Sequence, residues 1–123
     1  MTAVTRLGSV SLDCSDTYAL AQFYATLIGV EIAVDSERFS AVRFGNIWLS
    51  MQRVDDHRPS TWPDGNIPAQ VHLDFSVEDL DAAEAAALAA GARKAQTQPS
   101  PDRWRVMLDP AGHPFCLTSL IPD

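Results

Sequence analysis

A chain of 123 residues, 46% of them hydrophobic, can bury one core but is too short for two independent domains. Its formal net charge of −7 repels the phosphates of nucleic acids and anionic lipids, so we expect neither nucleic acid nor a membrane as a partner. The sequence has no apolar run near the ~18 residues of a membrane-spanning helix and no signal-peptide core at its start, so we expect a cytoplasmic protein.

The first predicted module covers about residues 1–54. Its first strand, about residues 5–14, alternates polar and apolar side chains, which is typical of a strand with one buried face. Apolar residues then recur with helical spacing, and the pattern predicts a helix between an N-cap at Asp16 and a C-terminal glycine, Gly29. Three extended segments follow, separated by turn-prone residues: VEIAV, FSAVRF and IWLSMQRV.

A connecting segment, residues 55–69, separates this module from the rest of the chain. It holds three prolines and one glycine, a composition that favours a crossing loop over a regular helix or strand. It also holds Trp62, whose side chain we expect either to cap a cavity or to lie in a contact between two copies of the chain.

The second module covers about residues 70–123 and repeats the first. The phrase VSLDCSD of residues 10–16 returns as VHLDFSVED at residues 71–79. Asp79 is the predicted N-cap of an alanine-rich helix that ends at Gly91, and three extended segments follow: ARKAQ, RWRVML and PFCLTSL. The repeat predicts one α+β domain over the whole chain, built from two βαβββ modules. The alternative is a ferredoxin-like regulatory domain, which has no three-stranded meander after each helix.

Three segments, SLDCSDTYALAQFYATLIGVEI, VHLDFSVEDLDAAEAAALAAGA and LDPAGHPFCL, resemble the vicinal oxygen chelate superfamily, also called the glyoxalase/bleomycin-resistance/dioxygenase superfamily. The closest resemblance is to the compact glyoxalase-like proteins that are common in actinobacteria. It implies two modules whose mixed sheets curl around a shared cavity, with the helices outside. The superfamily includes lyases, isomerases, dioxygenases, thiol transferases and antibiotic-binding proteins, so the fold does not by itself assign a function.

The resemblance also implies where a divalent metal would bind. Its ligands come from the first strand of each module, as histidine or glutamine, and from the last strand of each module, as glutamate. Counted from the helix caps, the first-strand positions are Ser9 and His72 in this chain. The family's Asp-Pro-x-Gly pattern puts the last-strand position of the second module at Cys116, and strand parity puts that of the first module at Ser50 or a neighbour. Alignment on the repeated phrase makes Ser11 the counterpart of His72 instead, and the first module lacks its histidine either way. Because zinc normally takes at least three protein ligands and only His72 is a usual donor, we expect no metal cofactor.

His72 is the candidate catalytic residue, and three interpretations of it stay open. It is a histidine satisfied by a serine or a backbone carbonyl, a contact or acid–base group for a bound molecule, or a metal ligand. Asp74 either braces the fold through an arginine such as Arg43 or Arg105, or contacts a ligand. The complete set of ligand-binding candidates is Ser9, Trp48, Ser50, Trp62, His72, Asp74, Trp104 and Cys116. Met51 and Met107 either line the same apolar cavity or belong to the core.

Two functions of different classes follow from these residues. In the first, the protein binds a small apolar or aromatic molecule in the cavity between the modules, without turnover and without the usual metal. In the second, it is a lyase, isomerase or dioxygenase with an atypical or metal-free site that uses His72. A third possibility is a unit that acts through dimerisation alone. We expect a homodimer in every case, because two open sheets leave strand edges to be covered.

Overall fold

The computed structural model describes residues 3–122. The chain divides after His57, inside the predicted connecting segment, into two compact units. Each unit contains one strand, one helix and three further strands. The predicted α+β fold of two βαβββ modules is therefore confirmed, whereas the single-domain organisation and the shared cavity stay predictions. Among residues 3–122, neither helix is long and apolar enough to cross a membrane.

The first unit is a four-stranded mixed sheet with one helix. Its elements are β1 (Ser9–Cys14), α1 (Thr17–Ile28), β2 (Ile32–Asp35), β3 (Phe39–Phe44) and β4 (Ile47–Arg53). The strand order is β1-β4-β3-β2, with β1 parallel to β4 and the other neighbours antiparallel. The Asp16 carboxylate accepts a hydrogen bond from the Ala19 N–H at 3.0 Å, and α1 ends at Gly29 with φ 76°. Both ends confirm the predicted helix, since a capping carboxylate satisfies a free N–H and glycine adopts positive φ without strain.

One face of the first sheet packs against α1, and the other carries the serines of β1 together with Trp48 and Phe39. Leu20, Phe23 and Tyr24 of the helix are buried, as are Leu49 and Met51 of β4. The predicted alternation along β1 is present, because its serines and its aspartate are exposed while Cys14 is buried. The strand begins at Ser9, four residues later than predicted.

The second unit repeats this plan. Its elements are β5 (Leu73–Ser76), α2 (Leu80–Ala90), β6 (Arg93–Lys94), β7 (Trp104–Leu108) and β8 (Pro114–Thr118). The order is β5-β8-β7-β6, with β5 parallel to β8. The Asp79 carboxylate caps α2 by accepting from the Ala82 N–H at 3.1 Å, and the helix ends at Gly91 as predicted. Strand β6 is shorter than the predicted segment ARKAQ; beyond it, the Val106 carbonyl accepts from the Ala95 N–H and from the Gln98 side-chain amide, and the Val106 N–H donates to Gln98 Oε1.

Ion pairs hold α2 on the second sheet, because the helix itself buries only Ala87. Arg105 Nη1 donates to Asp81 Oδ1 at 2.7 Å and to Glu84 Oε1 at 3.3 Å, and Lys94 Nζ lies 3.1 Å from the same Glu84. The hydrogen bond to Asp81 is the main cause that raises the pKa of Arg105. Arg105 therefore points toward α2. Its two neighbours along β7 face the opposite side of the sheet, because successive side chains of a strand alternate.

Candidate functional site

The face of the second sheet opposite α2 carries five of the eight candidate residues. We call it the His72 face and define it by Trp62, His72, Asp74, Trp104 and Cys116. Asp74 pairs with Cys116, which pairs in turn with Val106, and side chains of directly paired residues lie on the same face of a sheet. Trp62 and Trp104 pack against a small buried cluster made of Ala95, Val106 and Cys116. Two tryptophans therefore pack against the same group of small buried side chains on this face.

Trp62 lies flat against His72. Their ring centroids are 4.9 Å apart and the rings are inclined by 14°, which is a stacked arrangement. Hydrogen bonds within the connecting segment hold Trp62 in place. The backbone N–H of Trp62 donates to Ser60 Oγ at 3.0 Å, and the backbone N–H of Thr61 donates to the Ile67 carbonyl at 2.8 Å. Of the two positions predicted for Trp62, the structure places it beside a candidate site residue of the same unit.

The turn between β7 and β8 fixes the start of this connecting segment. Gly112 has φ 87°, and a Cβ atom added there would lie 2.4 Å from the Cβ of Pro59. A side chain at position 112 would therefore be strained and would displace Pro59. The same turn is held by the buried Asp109, whose carboxylate accepts from the backbone N–H groups of Ala111 and His113. Glycine here lets the segment that carries Trp62 lie close to the turn.

His72, Asp74 and Cys116 form a cluster of three polar side chains. His72 Nε2 lies 3.4 Å from Asp74 Oδ1, and the Cys116 thiol is hydrogen-bonded to the Asp74 carboxylate. Burial of the thiol, followed by the negative charge of Asp74 and this hydrogen bond, raises the pKa of Cys116 to about 12. The thiol is consequently protonated at neutral pH and is a poor nucleophile, because the thiolate is the reactive form.

The remaining three candidates, Ser9, Trp48 and Ser50, lie together in the first unit. Ser9 pairs with Trp48 across β1 and β4, and Ser9 Oγ lies 2.9 Å from Ser50 Oγ. The Arg43 guanidinium carbon lies 5.0 Å from the centroid of the Trp48 ring, which is cation–π distance. Arg43 therefore contacts an aromatic side chain of its own unit.

Strand register decides which serine corresponds to His72. Ser50 is paired with Ser11, two residues after Ser9, and Cys116 is paired with Asp74, two residues after His72. Ser9 and Ser50 therefore occupy the same relative positions in their sheet as His72 and Cys116 do in theirs. This agrees with the count from the helix caps.

Residues 9–118 match the family model described as a glyoxalase-like domain. The match extends from the start of β1 to the end of β8, so it includes both units. The chain belongs to the glyoxalase-like domain family. The similarity to actinobacterial members in particular stays a prediction.

Several solved structures are similar to this chain in fold. A glyoxalase/bleomycin resistance protein/dioxygenase family enzyme from Burkholderia phytofirmans PsJN is 19% identical, with a TM-score of 0.71, covering 95% of this chain and 100% of its own. A mutant of the fosfomycin resistance protein FosX from Listeria monocytogenes, complexed with manganese(II) and 1S,2S-dihydroxypropylphosphonic acid, is 16% identical, with a TM-score of 0.74 and coverage of 96% and 94%. The oxidase ChaP-H2 is 19% identical, with a TM-score of 0.66 and coverage of 95% and 94%. These likenesses show the fold alone, and no curated protein matches the chain by sequence.

The donor set of this glyoxalase-like domain does not fit the divalent ion that its family resemblance implies. In the first unit the ligand positions carry the hydroxyls of Ser9 and Ser50, which lie 2.9 Å apart and supply no negative charge. In the second unit Cys116 replaces the carboxylate and keeps its proton. Manganese(II) and similar ions prefer carboxylate, carbonyl and water oxygens, so two neutral hydroxyls and a thiol are poor substitutes.

The structure settles the placement of two methionines that the sequence left open. Met51 and Met107 are fully buried, and Met107 lies on the same face as Arg105, toward α2. These methionines belong to the core. Asp74, expected either to brace the fold or to contact a ligand, lies between His72 and Cys116. The alternation of β5 places His72 and Asp74 on one face, but the pairing that adds Cys116 depends on the register of β8.

Proposed function

We propose that this glyoxalase-like domain binds a small planar aromatic or apolar molecule on the His72 face, without the hard divalent ion typical of its superfamily. The observation that supports this most is the parallel stack of Trp62 on His72 beside Trp104. Small-molecule sites are built mainly from apolar and aromatic walls with a few polar groups that orient the ligand. Trp62 and Trp104 supply the walls here, and His72 and Asp74 supply the polar groups.

Charge narrows the class of ligand. The chain carries a formal net charge of −7, and Asp74 lies on the proposed face itself. An anionic ligand would be repelled, whereas a neutral or cationic ring would not, and a cation gains further from a tryptophan face. We therefore expect a neutral or cationic aromatic molecule to bind more tightly than an anionic one of the same size.

Calorimetric titration with 1-naphthol tests this proposal. The parent protein, in EDTA, is expected to bind one 1-naphthol per chain and to bind 1-naphthoate more weakly. Trp62→Ala and Trp104→Ala each remove one stacking surface, worth about 1.4 kcal/mol, and should weaken binding about tenfold. Tyr18→Ala is the matched control, because Tyr18 is an exposed aromatic residue of α1 in the first unit and its loss should change nothing.

Three results would contradict the proposal. One is an equal loss of affinity in Tyr18→Ala and Trp62→Ala, which would indicate non-specific binding to exposed aromatic surface. Another is the absence of saturable binding by the parent, and the third is a requirement for added manganese.

We also propose that the protein is a cytoplasmic homodimer, for which the two edge strands of each sheet are the support.

An enzymatic function is the second candidate, and the contact between His72 and Asp74 favours it. A carboxylate 3.4 Å from an imidazole nitrogen can orient the ring for proton transfer, which is the usual relation between a general base and its orienting group. In that case His72→Gln would abolish turnover of a bound aromatic substrate while leaving its binding within a few-fold. Loss of binding and turnover together would instead assign His72 to ligand contact.

A further inference from the structure

The part of the connecting segment that carries Trp62 is closed on itself. We call residues 59–67 the Trp62 loop. The backbone N–H of Thr61 donates to the Ile67 carbonyl at 2.8 Å, and the backbone N–H of Ile67 donates to Thr61 Oγ1 at 2.9 Å. Gly65 packs against Thr61 so closely that no room is left for a Cβ atom. Because these contacts join the two ends of the loop, we expect it to move as one body rather than residue by residue.

The tip of the Trp62 loop is tied to the loop between β6 and β7, because Thr97 Oγ1 donates a hydrogen bond to the Asp64 carboxylate. Thr97 itself is held by its neighbour Gln98. The Gln98 side-chain amide donates to the Val106 carbonyl at 2.8 Å, and Gln98 Oε1 accepts from the Val106 N–H at 2.9 Å. Asp64 and Thr97 are both exposed. Water therefore competes for the same groups, and this hydrogen bond can break without leaving a buried atom unsatisfied.

The Trp62 loop covers one face of the His72 imidazole. The ring centroids of Trp62 and His72 are 4.9 Å apart and the rings are inclined by 14°. Stacked rings need about 3.5 Å between their planes, so no second ring fits between these two. The covered face of the imidazole is accessible only when the loop moves away. Pro59, at the other end of the loop, lies against Gly112, so the loop can pivot there while its tip moves.

We propose that the Trp62 loop is a lid over the His72 face and that the hydrogen bond between Thr97 and Asp64 is its latch. The lid opens when the latch breaks, which lifts Trp62 from His72, and the latch forms again when the lid closes over a bound molecule. Lid loops of this kind move on the microsecond to millisecond timescale. As a gate for an aromatic ligand the lid rests on the function proposed above, whereas its movement in the free protein does not.

Nuclear magnetic relaxation dispersion of the backbone N–H groups measures the lid in the full-length protein without ligand. Thr97→Val removes the donor of the latch and keeps the size of the side chain, Asp64→Ala removes the acceptor, and Thr97→Ser keeps the hydroxyl. Loss of the hydrogen bond should raise the open population about two- to tenfold, with one common exchange rate across residues 61–67. Thr97→Ser should match the parent. Thr26→Val is the matched control, because Thr26 is an exposed threonine of α1, and it should change nothing.

Further readouts separate a lid from general loosening of the loop. Thr97→Val combined with Asp64→Ala should open the lid no further than either change alone, because both remove the same hydrogen bond. The backbone N–H groups of Thr61 and Ile67 should keep their protection from hydrogen exchange, because the bonds that close the loop stay intact as it moves. In stopped-flow titration with 1-naphthol, Thr97→Val should raise the association and dissociation rate constants together, about two- to tenfold, since the latch closes the free and the bound protein alike.

Several outcomes would overturn the proposal. They are an open population that Thr97→Val leaves unchanged, additive effects of Thr97→Val and Asp64→Ala, a Thr97→Ser protein that behaves like Thr97→Val, and loss of exchange protection at Thr61 and Ile67. Rate constants for 1-naphthol that stay at the parent values in Thr97→Val would overturn the role as a gate. Because the ligand-free measurements decide the lid whether or not 1-naphthol binds, this proposal and the proposed function can fail separately.

Discussion

Alkaline pH should destabilise the native fold through Cys116, and replacement of Cys116 by serine should remove that effect. In the native protein the pKa of the thiol is raised from 9.0 to about 12, chiefly by burial. Because the unfolded chain releases this proton near pH 9 and the folded one retains it, the stabilisation is complete below pH 9 and is lost as the pH rises toward 12. Each pH unit in that window is worth about 1.4 kcal/mol, which gives roughly 4 kcal/mol over the whole range.

Urea unfolding followed by circular dichroism, in reducing buffer at several pH values between 8 and 11, measures this loss. At pH 11 the parent should have lost ~3 kcal/mol more than Cys116→Ser, relative to pH 8, since other titrating groups are shared and cancel. Asp74→Asn should reduce the loss of stability at alkaline pH without abolishing it, because Asp74 raises the pKa of Cys116 less than burial does. Parallel losses in the parent and in Cys116→Ser would refute the account of a buried protonated thiol.

Three further predictions concern the turn at Gly112, the contact of α2 with its sheet, and the oligomeric state. Gly112→Ala should destabilise the protein by about 1–3 kcal/mol in urea unfolding, since φ is 87° and the new Cβ meets Pro59; an unchanged midpoint would contradict the strain. Arg105→Gln should lower the thermal midpoint more at low than at high salt, because the contacts of Arg105 to Asp81 and Glu84 on α2 are ionic; an effect independent of salt would contradict this. Sedimentation at micromolar concentration should give twice the 13.4 kDa chain mass, and the monomer mass alone would exclude the homodimer.

Local patterns were enough to predict both helices. Asp16 and Asp79 are caps recognisable within four residues of sequence, and each helix ends at a glycine whose positive φ stops it. The repeated phrase then predicted the second module from the first. Such features depend on neighbours along the chain, which a single sequence contains.

The candidate site was only partly predictable, because it depends on pairing between distant strands. His72 and Asp74 could be assigned to one face from alternation, but the contact of Asp74 with Cys116 requires the register of β5 on β8. Arg105 and Met107 point toward α2 for the same reason, since the register of β7 sets which of its residues face the helix. The stack of Trp62 on His72 depends on the path of the connecting segment, which has no periodicity to interpret.

Nuclear magnetic resonance of the tryptophan indole N–H groups tests the central claim most directly. The chain has three tryptophans, so its signals can be assigned by single replacement with phenylalanine. When 1-naphthol is added in the presence of EDTA, the indole signals of Trp62 and Trp104 should shift in a saturable way with one common dissociation constant. Saturable binding of 1-naphthol that leaves both signals unmoved would contradict the assignment of the ligand site to the His72 face.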